Sequence, residues 1–361
     1  ADGTNNDAKD PAGQYEPEPK GRPSVQLKGL RKEFARGNEK FVAVNDLTMN
    51  LYEGQISVIL GHNGAGKTTA INLMTGMLDP TAGDCLVYGK SIRDNMRAVR
   101  QEIGFCPQHN ILWDEMTCRE HLAFFGKLKG LSGADLDDAV LEMINAVDLH
   151  HKLDERAGSL SGGMKRKLSV AIAFVGRSRV VFLDEPTAGM DVGARRHTWD
   201  LIKRMSPGRT IVLTTHYMDE ADLLGHSISI LSKGRLKCKG SSLFLKSRLG
   251  VGYTLNCAIE AAADVDQIAT TIEGSVPDAE ILSSGSGEVS FRLPMADVPQ
   301  FPTLLAILEG NMQPFGIRSF GISVTTIEEV FLKIAQMEEE EAVSGSGSGT
   351  SPNNNDPSPD T

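Results

Sequence analysis

Short apolar runs closed by polar or glycine positions set the rhythm of the chain. Ile56-Ser57-Val58-Ile59-Leu60 is a partly β-branched run that predicts a buried parallel strand. Thr69 to Thr75 beyond it predicts a helix ending at Gly76. Upstream, Val25-Gln26-Leu27, Phe41 to Val44 and the alternating run Leu47 to Leu51, closed at Glu53-Gly54, predict a small antiparallel sheet. From Ile92 to Val175 the pattern turns mainly helical. Within it Cys106-Pro107-Gln108 ends a short strand, Val140 to Val147 is amphipathic, and a helix follows Leu160-Ser161-Gly162-Gly163-Met164. Val180 to Leu183 and Thr210 to Thr214 predict two more buried strands.

A second pattern starts after Leu243-Phe244-Leu245-Lys246, where Gly250 and Gly252 mark a boundary. Tyr253 to Ile259 reads as a strand and Asp264 to Ile272 as a helix. Glu280 to Ser283 and Glu288 to Leu293 read as a hairpin around Gly285-Ser286-Gly287, Phe301 to Leu308 as a helix and Ile317 to Val324 as a strand. The order β-α-β-β-α-β is the split βαβ of ferredoxin-like domains. A last helix opens at Thr326-Ile327-Glu328-Glu329, a capping box, and buries Ile327, Val330, Phe331 and Ile334 at helical spacing. The organisation expected is a disordered linker over 1–24, an α/β domain over 25–250 with a helical part at about 93–178, an α+β domain over 251–337, and a disordered acidic and Gly/Ser/Asn/Pro tail over 338–361.

Composition narrows the classes. The chain has 361 residues, 40% hydrophobic and 23% charged, enough for sizeable cores and two domains. A net charge of −10 leaves no overall basic field for nucleic acid; Lys165-Arg166-Lys167 is only a small local patch. The five scattered cysteines lack a C-x-x-C pair and read as reduced thiols rather than a disulfide framework or zinc site. No apolar run reaches the roughly 18 residues of a membrane span, and no signal peptide is expected at the N-terminus.

The chemistry centres on Gly61-His62-Asn63-Gly64-Ala65-Gly66-Lys67-Thr68-Thr69, which fits G-x-x-x-x-G-K-[ST] between a strand and a helix. Glycines let the loop turn its N–H groups around phosphates, and the helix N-terminus adds donors and partial positive charge. Lys67 would reach the β- and γ-phosphates and Thr68 would ligate Mg²⁺. The strand Val180 to Leu183 delivers Asp184, a second metal ligand, and Glu185, a base for the attacking water. His216, just past Thr214, could approach the γ-phosphate. Ser161-Gly162-Gly163 forms another helix N-terminus suited to a phosphate. Phe34 is the first choice, and Phe41 the second, for an aromatic that stacks on adenine; either could instead be plain core.

Taken in order, the phosphate loop, Gln108, Leu160-Ser161-Gly162-Gly163, Asp184-Glu185, Ala188-Gly189-Met190-Asp191 and His216 resemble the nucleotide-binding domain of ATP-binding cassette proteins. The resemblance covers about Val25 to Met337. Leu160 to Ser169, Cys106-Pro107-Gln108-His109-Asn110 and His216-Tyr217-Met218-Asp219-Glu220-Ala221-Asp222 look like the A subfamily, the eukaryotic lipid exporters, and are closest to the first of their two cassettes. It implies an α/β P-loop NTPase with parallel core sheet, antiparallel β subdomain and helical subdomain, followed by a small α+β regulatory-type domain. It further implies ATP hydrolysis with Mg²⁺, with Gln108 touching the metal or the attacking water and His216 as the switch histidine. Asp191 would cross to a partner cassette, and the signature Leu160 to Met164 would cap the partner's ATP. Implied partners are a second cassette, transmembrane domains reached around Gln108 to Phe125, and a lipid held by the membrane part. The chain would lie on the cytosolic face of a membrane. Met164 in place of the usual glutamine, and Gly189-Met190 in place of the commoner Ala-Leu, depart from the wider family pattern. Two other classes remain: a soluble cassette ATPase of non-transport type, against which the acidic balance and the lack of a long coiled-coil insertion weigh, and a regulatory cassette with little hydrolysis.

Overall fold

Alternating and β-branched positions at the N-terminal side form β1 (Val25–Arg36) and β2 (Glu39–Leu51), which pair antiparallel with the bulges that long twisted strands need. β3 (Ile56–Leu60) is buried at all five positions, as a strand covered on both faces must be. After the phosphate loop comes α1 (Lys67–Met74), then β4 (Ala82–Val87) and β5 (Lys90–Ser91), which complete a sheet of order β2-β1-β4-β5. Sequence pattern had not singled out β4 and β5, because Ala82-Gly83-Asp84 interrupts the alternation. This computed structural model describes residues 13–37, 39–176, 178–250, 252–260, 263–285 and 287–345.

α2 (Met96–Glu102) and β6 (Ile103–Cys106) lead into a helical region of α3 (Cys118–Leu128), α4 (Gly133–Ala146) and α5 (Gly162–Phe174). α3 opens on a complete capping box, Thr117 with Glu120. β7 (Val180–Asp184), α6 (Val192–Met205), β8 (Thr210–Thr215), α7 (Met218–Leu224), β9 (Ser227–Ser232), β10 (Arg235–Gly240) and α8 (Ser242–Leu249) follow. The second sheet runs β10-β9-β3-β8-β7-β6, parallel throughout except that β10 lies antiparallel to β9. Register aligns the strand ends: Ile59 pairs with Thr214 and Thr214 with Asp184. A core including Val25, Leu47, Ile59, Ile71, Phe182 and Val212 joins both sheets to α1; each such side chain contributes roughly 1.5–3 kcal/mol on full burial.

The chain divides into two compact units, Ala1–Arg248 and Leu249–Thr361. The second contains β11 (Tyr253–Ile259), α9 (Val265–Ser275), β12 (Glu280–Gly285), β13 (Glu288–Leu293), α10 (Phe301–Gly310), α11 (Met312–Phe315), β14 (Ile317–Val324) and α12 (Ile327–Gly345). Its antiparallel sheet has the order β12-β13-β11-β14, and alternate residues Leu255, Cys257, Val289 and Phe291 pack on α9 and α10 positions such as Ile268, Ile272, Leu304 and Leu308. That is the β-α-β-β-α-β arrangement that the pattern predicts, with Glu329 N–H bonded to the Thr326 hydroxyl at 3.2 Å.

Two expectations of disorder need correction. Residues 13–24 are not a free linker: Tyr15 bridges to Lys239 in parallel register on the edge strand β10, Glu16 accepts from Ser241 N and Oγ, and Lys239 Nζ reaches Glu18 at 2.9 Å. A polar strap satisfied by β10's free edge needs few apolar residues, which is why composition misled. At the other end α12 continues through the acidic run to Gly345, since Glu, Met and Ala are good helix formers. Residues 1–12 and 346–361, expected to be disordered, and Ser286 of the hairpin lie outside the described residues.

The seat of α5 against β6 is tight. A Cβ added to Gly104 would lie 1.9 Å from the Ala173 carbonyl oxygen. Gly104→Ala is therefore expected to cost about 2 kcal/mol, or ~4–8 °C in melting temperature; thermal unfolding of the two proteins checks this, and an unchanged midpoint contradicts it.

Candidate functional site

The N-terminus of α1 is built to receive something. Gly66 caps it in the left-handed conformation (φ 100°) with no side chain bonded to the first turn and no acidic residue there. By contrast Thr117, Ser161 and Asp191 cap α3, α5 and α6 with their side chains. Open amides at a helix N-terminus, beside a loop that turns through Gly64 (φ 82°), form an anion cradle. A Cβ at Gly66 would meet the Ala43 carbonyl at 2.4 Å, so only glycine fits. Of the rest of the loop, Gly61 abuts Leu231, Ala65 is buried, His62, Asn63 and Gly64 are exposed, and Thr69 is on the helix.

Lys67 is 5% exposed and folds back over this loop, its Nζ donating to Gly61 O at 2.7 Å and His62 O at 3.1 Å. Burial lowers its pKa, with Glu185 and Asp184 opposing. Glu185 Oε1 lies 3.9 Å from Lys67 Nζ and 3.2 Å from His216 Nδ1, the latter without hydrogen-bond alignment. His216 leans on Tyr217, ring centroids 4.1 Å apart. Thr68 Oγ1 faces Asp184 Oδ1 at 3.4 Å, and Thr214 Oγ1 donates to the same oxygen at 2.5 Å. Asp184 is 1% exposed, and burial raises its pKa against the hydroxyl bonds. Thr214 also accepts from Glu185 N–H at 3.0 Å. One residue from β8 thus holds both carboxylate positions.

Glu185 is strained. Its φ of +48° is a left-handed value that a non-glycine residue adopts at a cost of roughly 1–2 kcal/mol. The Arg166 guanidinium of α5 clamps this turn: Nη2 donates to Asp184 O at 2.6 Å and Glu185 O at 2.8 Å, and Nε to Pro186 O at 3.0 Å. Within the basic run Lys165-Arg166-Lys167, Arg166 is 2% exposed and belongs to the core. Its place among Ser169, Val170 and Ala173 on the buried face of α5 was the sequence signal for this. Equally unforeseen is Glu220 of α7, fully buried and accepting from Thr187 Oγ1 at 2.9 Å and Trp199 Nε1 at 2.8 Å. It ties the turn after Glu185 to the helix after His216.

The remaining predicted residues lie apart from this cluster. Gln108 is exposed in the loop after β6, one strand over from β7. Leu160 is buried; Ser161 caps α5 by accepting from Met164 N, and Gly162 is exposed. Among the described residues none of Ser161, Gly162 and Gly163 hydrogen-bonds to Lys67, Thr68, Asp184 or Glu185. Asp191 caps α6 by accepting from Ala194 N at 2.9 Å, a bond that lowers its pKa. Phe34 and Phe41 are direct cross-strand partners, 37% and 56% exposed, so they form one aromatic surface and the geometry does not choose between them.

A hydroxyl and a carboxylate facing each other at 3.4 Å suit a hard divalent cation that takes oxygen ligands. Among the described residues no group of three or more His, Cys, Asp or Glu is placed to hold a metal ion, so further oxygens would have to come from a phosphate ligand, water or an amide such as that of Gln108.

Comparison with known proteins gives the following. A family model described as ABC transporter matches residues 44–188, and one described as ACT-like domain matches 253–327. Mouse "Phospholipid-transporting ATPase ABCA3" is 47% identical over 313 residues, 87% of this chain and 18% of the relative. "ABC transporter A family member 2" of Dictyostelium discoideum is 45% identical over 317 residues, 87% of this chain and 20% of the relative. The chain thus spans about a fifth of the length of the curated relatives it matches. Among solved structures, the dimeric post-hydrolysis state of the ATP-binding cassette MJ0796, bound to ADP and Pi, aligns with a TM-score of 0.57 at 25% identity, covering 60% of this chain and 98% of that one. An "ATP binding subunit of ABC transporter" aligns equally well over 68% of this chain and 98% of that one, at 25% identity.

Glu220 supplies a pH test. Burial raises its pKa above the usual 4.5, the bonds from Thr215, Trp199 and Thr187 opposing. The folded chain therefore holds this proton longer than the unfolded chain, so the site's contribution is greatest below 4.5 and is lost as pH climbs through the raised folded value. Gln at this position accepts the same two bonds and does not titrate. The melting temperature of Glu220→Gln, minus that of wild type, is expected to grow from about pH 5 to about pH 8; a difference independent of pH contradicts the assignment.

Proposed function

The chain belongs to the ATP-binding cassette transporters, within the A subfamily, and on that premise we propose that it binds ATP with Mg²⁺ and hydrolyses it to drive lipid translocation by a larger membrane protein. The observation that carries this reading is the convergence of Lys67, Asp184, Glu185 and His216 on the open N-terminus of α1.

In this reading the loop amides and Lys67 hold the β- and γ-phosphates, Lys67 exchanging its two carbonyl contacts for phosphate oxygens. Thr68 and Asp184 would hold the metal, with Gln108 as a further oxygen ligand, and the metal when bound would neutralise developing charge on the phosphates. Glu185 orients a water in line with the γ-phosphate and takes its proton. His216, its Nδ1 3.2 Å from Glu185 Oε1, donates toward the γ-phosphate. Phe34 and Phe41 offer the adenine its stacking surface. The signature Leu160 to Met164, which makes no hydrogen bond to Lys67, Thr68, Asp184 or Glu185 among the described residues, serves the nucleotide of a second cassette, and Asp191 crosses to that cassette. Dimeric cassettes among the structural relatives support that arrangement.

The seat for the transmembrane part is a groove of about 490 Å³ lined by Phe105, Pro107, Ile111, Phe125, Leu128 and Ile172. Exposed Trp113 and Phe124 extend it; buried His121, donating to Thr117 O and accepting from Trp113 N–H at 3.0 Å, fixes that loop. In this reading lipid contact falls to the rest of the protein and this part works on the ATP-bearing, cytosolic side; among the described residues no helix is long and apolar enough to cross a membrane.

Glu185→Gln is expected to keep ATP binding while turnover falls ~10²–10⁴-fold, the usual weight of a positioned base; near-normal turnover would remove Glu185 from the role. Lys67→Met is expected to weaken ATP binding by at least about tenfold through lost phosphate contacts, and unchanged affinity in a titration would count against the site.

A further inference from the structure

All five N–H donors of a guanidinium are used at Arg166, and none goes to a carboxylate. Besides the three bonds to Asp184 O, Glu185 O and Pro186 O, Nη1 donates to Pro107 O at 2.5 Å and to Asn110 Oδ1 at 3.4 Å. Ser169, one turn on along α5, donates to the same Asn110 oxygen at 3.1 Å. A single buried side chain on the helix that begins at the Ser161-Gly162 signature therefore holds two separate segments. One carries Asp184 and Glu185; the other, 107–110, contains Gln108.

We propose that Arg166 is a positioning residue that keeps Glu185 in its left-handed conformation and locks the Gln108 loop to the same helix. A displacement of α5 at its signature end is thereby passed to the base and to the Gln108 loop together. This rests on the reading of Glu185 as base given above. The chemistry explains why the residue is arginine. Four of the acceptors are backbone carbonyls, two of them on prolines, and the fifth is the Asn110 side-chain oxygen; a rigid planar fork with five donors meets them all, where a lysine with three rotatable donors cannot. The restraint also acts where the backbone is strained: Glu185 N–H is fixed by Thr214 from one side and Glu185 O by Arg166 from the other, so losing either bond frees the residue to relax to negative φ and turn its carboxylate away.

A structural role alone would lower stability and ATP affinity together. The test uses Arg166→Lys and Arg166→Gln in the full chain, each also combined with Glu185→Gln. Affinity for trinitrophenyl-ATP, single-turnover hydrolysis and amide hydrogen exchange are measured on every protein. Arg166→Lys is expected to keep nucleotide affinity within about twofold while hydrolysis falls by at least about tenfold, a loss confined to the transition state. In the Glu185→Gln background the same substitution is expected to cost almost nothing further, because the two residues act as one unit. Exchange is expected to rise together at the amides of Glu185 and of His109 and Asn110, while β1 and β2 keep their protection. Arg166→Gln, with fewer donors, is expected to be worse than Arg166→Lys on each readout. Wild-type hydrolysis in Arg166→Lys, equal proportional losses in affinity and rate, or exchange rising in one segment without the other would each overturn the proposal. A wild-type chain that binds no nucleotide would overturn the functional reading instead; the paired exchange readout still decides whether Arg166 links the two segments.

Discussion

A carboxylate buried at the end of a parallel sheet is costly, and the first unit is arranged around meeting that cost. Asp184 is almost fully enclosed, and burial raises its pKa. The hydroxyls of Thr214 and Thr68 oppose this from two neighbouring elements, β8 and α1. Those hydroxyls are in place only because β3, β8 and β7 run parallel with Ile59, Thr214 and Asp184 in one row. A shift of one residue in any of these strands would turn Thr214 to the other face and leave the charge without its partner. The register of the sheet and the ionisation of the site are therefore one constraint.

From that row the other parts follow outward. β3 ends where the phosphate loop begins, so the open helix end of α1 and Lys67 face the Asp184–Glu185 turn. β8 ends at His216, whose ring reaches the same turn. α5 lies across the outside of β6 and β7, close enough that Gly104 admits no side chain, and this proximity lets Arg166 reach the carbonyls of β7's end. Glu220 ties the far side of the turn to α6 and α7. The result is a strained glutamate held at its N–H by β8 and at its carbonyl by α5, with Lys67 Nζ of α1 3.9 Å from its carboxylate.

Much of this was legible in the sequence because it rests on local rules. Ile56–Leu60, Val180–Leu183 and Thr210–Thr214 are apolar for the reason that parallel strands are buried on both faces, and the glycines of the phosphate loop are fixed by backbone geometry. The β-α-β-β-α-β order of the second unit was likewise readable from alternation and turns. What escaped were features set by partners distant in sequence. The strap at 13–24 is polar and finds its bonds on β10, over two hundred residues away. β4 is a strand because β1 offers it an edge, not because of its own pattern. Arg166 looks like its neighbours Lys165 and Lys167 until the helix is packed, and Thr214 looks like any strand residue until Asp184 is beside it.

In the proposed reading, a site complete on the phosphate-loop side lacks the signature side until a second cassette supplies it. The most direct measurement is the specific ATPase activity of the purified chain across a wide range of protein concentration, with mass by light scattering in parallel. Specific activity is expected to rise with concentration in step with an ATP-dependent dimer. Full activity carried by a monomer, constant across the whole range, would contradict it.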